Sequence, residues 1–416
     1  MKRSPLVVIF TTVFIDLVGF GIVIPVLPFY AEGTAFNATP RTVGLLFASY
    51  SIMQLIFSPV LGGLSDKYGR RPVLLLSIIG TGIGFLMLGF AKTLFMLFAG
   101  RILDGITGGN ISTAQAYIAD ITTEENRAKG MGLIGAAFGL GFIFGPAIGG
   151  ILSRWGIHVP FIFAAVLCFA NAMLLYFTLP ETVTPDHPAK NSAARGRSLR
   201  NVMLSLKQPR LAFVLVIYFL FIVAFSIMTT AFSLYTMFRF GYDAQHTGYL
   251  FAYVGLIAVI IQGGLIGRLV NRFGELPLVI VGAFCFAISL FAVPFVGPAA
   301  GGLAALLVGG GVFSMGNSLA TPALTSLASK SAGPAQQGVV LGVTQSTASL
   351  ARAVGPSLAA VLISSSIAHL GADGLPHYMS DQSLFITFWT AAAIMLVAFL
   401  LAFYLATDKR GLRTQI

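Results

Sequence analysis

The chain has 416 residues, of which 56% are hydrophobic and only 9% charged, and its mean hydropathy is +0.89. Soluble domains carry about 25% charged residues, so a soluble enzyme or scaffold is excluded. The formal net charge of +11 invites a nucleic-acid reading, but the basic residues lie between long apolar segments rather than in one patch, and no nucleic-acid partner is expected.

Twelve apolar stretches of the length a bilayer core requires follow one another, at about 6–29, 43–64, 73–91, 94–119, 129–152, 159–179, 211–237, 246–270, 276–296, 300–326, 337–366 and 383–406. The first is too long for a cleaved signal peptide's apolar core. It contains Asp16, and an ionisable group at that depth marks function by default. Asp16 has no partner nearby in sequence, which makes it the first candidate for protonation coupling. Spans two and three enclose Gly62-Gly-Leu-Ser-Asp66-Lys67-Tyr-Gly69-Arg70-Arg71-Pro72. Its glycines permit a tight turn and close helix approach. Asp66 can accept from backbone N–H groups, and Arg70 can reach a carboxylate. A loop that only sets topology would need Lys67, Arg70 and Arg71, but not Asp66 with two spaced glycines.

Span four carries Arg101 and Asp104, three residues apart and therefore on one helix face. Two readings stand: a neutralising pair within the helix, or a carboxyl in a dry cavity that exchanges a proton beside a guanidinium. Span five carries Gly135-x-x-x-Gly139-x-Gly141-x-x-x-Gly145-Pro146-x-x-Gly149-Gly150. Small residues at four-residue spacing let another helix approach closely, and Pro146 can kink the helix. Packing accounts for these glycines as well as a conformational role does. The polar interval 180–210 follows span six. Within it Leu199, Val202, Met203 and Leu206 have the spacing of a short amphipathic helix on the membrane surface, or of a disordered linker with chance periodicity.

The charged loop recurs as Gly267-x-x-x-Asn271-Arg272-x-Gly274-Glu275-x-Pro277. Gly109-Asn110 likewise recurs as Gly316-Asn317, and Gly145-Pro146 as Gly355-Pro356. Three landmarks in the same order at nearly one offset indicate a duplication. The expected fold is an all-α integral membrane protein with two pseudo-symmetric six-helix bundles, 1–180 and 210–416, joined by a cytoplasmic linker over 181–209. Such repeats place a binding site at their interface near the bilayer midplane. In the second loop Asn271 and Glu275 replace Asp66 and Arg70, so its contacts should be weaker or reversed in polarity. With the N-terminus inside, 19 of the 25 Lys and Arg fall on the cytoplasmic side and four outside, while Arg101 and Arg352 lie within helices. That asymmetry puts both termini in the cytoplasm.

These motifs, with Asp16-x-x-Gly19-x-Gly21-x-x-x-Pro25-x-x-Pro28 in span one and Tyr117-Ile-Ala-Asp120-Ile-Thr at the end of span four, resemble the drug:proton antiporter branch of the major facilitator superfamily. Within that branch the chain is most similar to bacterial tetracycline efflux proteins. The resemblance implies a conformational latch made by Gly62, Asp66, Gly69, Arg70, Arg71 and Asp120, with Arg70 paired to Asp120 and Asp66 capping span eleven. It implies an antiporter motif in Gly141, Gly145, Pro146 and Gly149, and a coupling role for Arg101, beside which Asp16 and Asp104 are the candidate proton-coupling carboxyls because they lie within apolar spans. Spans one, four, seven and ten would line the cavity, flanked by two, five, eight and eleven. Gln54, Asn110, Tyr253, Gln262, Asn317, Gln345 and Arg352 are then the candidate substrate contacts. Apolar walls with a few polar groups suit a partly hydrophobic organic molecule.

Some features depart from tetracycline exporters. Asp104 is additional, span three has no acid, and Gln262 stands in span eight where those proteins have a buried histidine. All five histidines of this chain map to loops or helix ends, so a histidine proton wire is not expected. The expected protein is a monomeric exporter in a bacterial inner membrane, driven by the proton gradient, with a small molecule, protons and lipid as its partners. No cofactor, metal or catalytic residue is expected. The alternative is a symporter or uniporter for an anionic, zwitterionic or siderophore-like compound that uses Arg101 and Arg352 as counter-ions.

Overall fold

A computed structural model describes residues 5–33, 36–122, 124–182, 209–331, 337–363, 369–370, 376–377 and 379–407. The surface helix considered for 198–207 lies outside these residues, as does the segment 332–336 that leads into span eleven. Among the described residues the architecture is that of a helical membrane protein, with one two-residue antiparallel ladder, His369–Leu370 against Pro376–His377. Ten helical segments among the described residues are long and apolar enough to cross a bilayer.

The first half comprises α1 (Pro5–Glu32), α2 (Pro40–Tyr68), α3 (Arg70–Gly89), α4 (Leu94–Thr107), α5 (Ile111–Ile121), α6 (Glu124–Leu152) and α7 (Val159–Thr178). Span four, expected as one helix, is divided into α4 and α5 by a 3-10 turn over Gly108–Asn110. Consecutive glycines weaken the helix there. The second half comprises α8 (Pro209–Phe240), α9 (Ala244–Ile260), α10 (Ile266–Phe273), α11 (Glu275–Ala292), α12 (Gly302–Lys330), α13 (Gln337–Leu362) and α14 (Asp381–Thr407). A π-helical turn, Ile261–Leu265, divides span eight where Gly263 and Gly264 meet no neighbour.

The chain forms two compact units. One contains residues 1–38, 46–201 and 244–249; the other contains 39–45, 202–243 and 250–416. Both repeat one packing scheme. In the first, α1 packs on α6 and α7, and α3 packs on α4 and α7; in the second, α8 packs on α13 and α14, and α11 packs on α12 and α14. Glycine makes equivalent contacts in both. A Cβ on Gly145 would lie 2.6 Å from the Cα of Gly21, and one on Gly355 would strike the side chain of Ser226. A Cβ on Gly84 would meet the carbonyl oxygen of Gly100 at 3.0 Å, and one on Gly282 would meet that of Gly316 at 2.7 Å. The duplication seen in the loops therefore extends to the backbone contacts of the helices. α1 is apolar all round and buried along most of its length, as expected of a helix enclosed by others.

Candidate functional site

Two buried polar groups lie inside the first unit: Arg101 and Asp104 with Tyr50 and Gln54, and Asp16 with Asn110. Arg101 and Asp104, one turn apart on α4, pair at 2.8 Å, and the guanidinium is fully buried. The carbon of that guanidinium lies 4.2 Å from the ring centroid of Tyr50 on α2, a cation–π contact. Its Nε and second Nη have no hydrogen-bond partner among the described residues, so Asp104 and the tyrosine ring supply the compensation. Gln54 donates to the Tyr50 hydroxyl at 2.9 Å and to the Gly108 carbonyl at 3.0 Å. These contacts require small residues opposite α2. A Cβ on Gly105 would collide with the Tyr50 carbonyl, and one on Gly108 would lie 3.0 Å from the Tyr50 hydroxyl.

Asp16 is buried on α1 and accepts a hydrogen bond of 3.3 Å from Asn110. Asn110 closes the 3-10 turn, so the break in span four carries this amide. A short 3-10 stretch within a longer helix often marks a functional position. One turn away on α1, Thr12 donates to Asn171 of α7 at 3.2 Å. Asp16 and Asp104 thus occupy one unit with different partners: a neutral amide for the first, a guanidinium for the second.

A second charged cluster sits at the α2–α3 junction. Arg70 is fully buried; its Nε donates to Asp120 at 2.9 Å, and one Nη donates both to Ser65 at 2.7 Å and to Asp66. The Arg70–Asp120 pair is present, and Asp66 joins the same guanidinium. Gly69 has φ +103°, and Gly274 in the second loop has φ +78°, so both loops turn through a backbone conformation that favours glycine. In the second loop Glu275 accepts from Ser326 at 2.9 Å and from Lys330, while Asn271 is exposed. Glu275, at the place of Arg70, is now the anion and Lys330, at the end of α12, the cation, the reverse of Arg70 with Asp120 at the end of α5.

The other candidates are distributed as follows. Gly141, Gly145 and Gly149 of α6 face α1, where added Cβ atoms would meet Leu17, Gly21 and Ile22; the ring of Pro146 lies beside Gly21. The resulting contact is close helix packing. Gly62 accepts from the hydroxyl of Ser65 through its carbonyl at 2.7 Å, and Arg71 donates to the Tyr176 carbonyl. In the second unit Gln262, on the π turn, donates to Ser318 at 3.3 Å. Asn317 accepts from Thr321 at 3.0 Å, and Arg352 donates to Ser349 at 3.2 Å. Tyr253 lies beside Gly311, and Gln345 is half-buried on α13. Gln54 and Asn110, by contrast, are committed to bonds inside the first unit.

The contacts of Tyr50 with Arg101, and of Ser65, Glu181 and Thr182 around Arg70, carry no signal in the sequence. Glu181 and Thr182 follow α7 directly, at a place that reads only as the start of a linker. Nothing in their spacing points to residues more than a hundred positions earlier.

Two similarly packed units of long apolar helices, one enclosing buried ionisable side chains, define a polytopic membrane transporter. The chain belongs to the Major Facilitator Superfamily, whose sequence model matches residues 9–356. The tetracycline resistance protein, class B, of Escherichia coli is 35% identical over 360 residues, covering 85% of this chain and 87% of that protein. The class H protein of Pasteurella multocida is 32% identical over 381 residues, covering 90% and 92%. Multidrug resistance protein 2 of Bacillus subtilis is 30% identical over 364 residues, covering 87% and 89%. Among solved structures, the human organic anion transporter MFSD10 (TETRAN) superposes with a TM-score of 0.68 at 24% identity, covering 96% of this chain and 99% of that one. The nucleoside transporter NupG superposes with a TM-score of 0.72 at 12% identity, covering 98% and 100%; both likenesses concern the fold.

Proposed function

We propose that the protein is a proton-coupled exporter of small, partly hydrophobic organic molecules, working by alternating access in a bacterial inner membrane with both termini in the cytoplasm. The observation that carries this reading is Asp16: a buried carboxyl on α1 that accepts from the neutral amide of Asn110. Such a group can take up and release a proton at little structural cost, whereas a carboxylate locked to arginine resists protonation. Asp104 and Arg101 act beside it as a buried pair. The similarity to tetracycline and multidrug resistance proteins over most of the chain supports the drug class. The excess of Lys and Arg on one side supports the orientation. The proton gradient serves as the energy source, without an organic cofactor or metal, and the working unit is a monomer.

Pairing of Arg101 with Asp104 weighs against the anion-carrier alternative, because one of its two proposed counter-ions is already engaged. The deciding experiment is uptake into proteoliposomes with an acidic lumen, across cationic, neutral and anionic compounds. Gradient-dependent accumulation of cationic or neutral lipophilic compounds is expected. Uptake indifferent to the gradient would refute proton coupling, and accumulation of anions alone would favour the alternative.

A further inference from the structure

Glu181 lies just beyond the last turn of α7, where the chain enters the segment between the two halves, yet both its oxygens reach the α2–α3 junction. One accepts from the backbone N–H of Arg70 at 2.9 Å, and the other from that of Arg71 at 3.0 Å. The first N–H groups of a helix lack partners within the helix. In α3 the third residue is Pro72, which has no N–H to satisfy. Glu181 therefore satisfies every backbone donor among the first three residues of this helix. Its negative charge is also favourably placed at a helix N-terminus.

The surroundings are arranged for this carboxylate. A Cβ on Gly69 would lie 2.5 Å from a Glu181 oxygen and 2.8 Å from its carboxyl carbon. Gly69 is thus required by the incoming carboxylate as well as by its φ of +103°. The flanking residues bind the same cluster: Thr182 donates to the Asp120 oxygen that also receives Arg70, at 3.2 Å, and Tyr117 donates to the Pro180 carbonyl at 3.0 Å. The second loop differs. A Cβ on Gly274 would meet nothing within 4 Å.

We propose that Glu181 is a positioning residue for the charged latch: its carboxylate holds the first turn of α3 so that the Arg70 side chain engages Asp66 and Asp120 together. The proposal deepens the transporter reading, and its functional arm rests on that reading.

The test uses the full-length protein with Glu181→Ala and Glu181→Gln. Hydrogen–deuterium exchange of peptides covering residues 69–76 reads the contact without any transported compound. In Glu181→Ala the Arg70 and Arg71 amides should exchange about tenfold faster or more, as expected for loss of hydrogen bonds to a charged group. Glu181→Gln, which keeps one acceptor oxygen, should fall between that variant and the parent. In proteoliposomes the maximal rate should drop severalfold with KM within about twofold, since the substrate contacts are elsewhere. Glu181→Ala placed on Arg70→Ala should add nothing further, because the effect acts through Arg70. Unchanged exchange in both variants overturns the proposal, as do effects of Glu181→Ala and Arg70→Ala that multiply. Where Glu181→Ala fails to fold, Glu181→Gln carries both readouts. If the parent moves no compound in the panel, the export reading falls while the exchange measurement still decides the role of Glu181.

Discussion

Asp16 and Asp104 are carboxyl groups buried in the same unit, and their partners predict opposite responses to the same substitution. Asp16 is held by one long hydrogen bond from Asn110, so Asp16→Asn removes a proton site and disturbs little else. Gradient-driven uptake by that variant should fall to the level of empty liposomes, while counterflow exchange of substrate continues; loss of both would mean that Asp16 does more than carry a proton. Asp104→Asn leaves the fully buried Arg101 without its counter-charge. Breaking such a pair typically costs about 3–5 kcal/mol, which should appear as a large drop in melting temperature in detergent. Replacing both residues with leucine should cost less than the sum of the single changes. Much of this was legible in the sequence, because a charge in an apolar span is conspicuous and three-residue spacing puts two side chains on one face. Tyr50 was not legible. It differs from the other aromatic residues only in facing Arg101, and that depends on how α2 lies against α4.

At the scale of single elements, the glycines of α6 divide by what stands opposite them. A methyl on Gly145 would lie 2.6 Å from the Gly21 Cα, whereas one on Gly135 would meet nothing within 4 Å. Gly145→Ala should therefore force α1 and α6 apart, at about 1–3 kcal/mol as for other overpacked sites. Gly135→Ala should be neutral or stabilising by up to about 1 kcal/mol, since alanine favours the helix and meets nothing there. Thermal melts of the two variants in one detergent would check the pair of expectations, and equal effects would contradict them. The run of small residues announced close packing but could not say which of them touch, because that depends on the rotation of the partner helix. The interruptions at Gly108–Asn110 and Ile261–Leu265 were invisible for a related reason. Each contains a Gly-Gly pair, but such pairs also sit inside continuous helices, as at Gly149-Gly150 of α6 and Gly309-Gly310 of α12, so the pair alone does not mark a break.

For the molecule as a whole, the two copies of the charged loop show how far a duplication has diverged. In the first half, buried Arg70 holds two carboxylates; in the second, Glu275 meets Lys330, whose side chain is 66% exposed. Arg70→Ala should accordingly cost several kcal/mol in stability and most of the transport. Glu275→Lys should cost less than about 1 kcal/mol, with the charge swap Glu275→Lys/Lys330→Glu restoring the parent's behaviour. Melting curves and initial uptake rates of these variants compare the halves directly. Equal sensitivity of both loops would remove the asymmetry. The reversed polarity was already suggested by Glu275 at the arginine's position, but its partner could not be named, since Lys330 lies 55 residues on. The sequence by itself determined the membrane class, the internal repeat and the charges within apolar spans, because each follows from composition or spacing along one chain. Only the tertiary structure decided which buried groups satisfy one another: Asn110 for Asp16, Tyr50 and Asp104 for Arg101, Glu181 for the start of α3. In an apolar interior every polar group needs a partner, and that partner is chosen by helix packing rather than by distance along the chain.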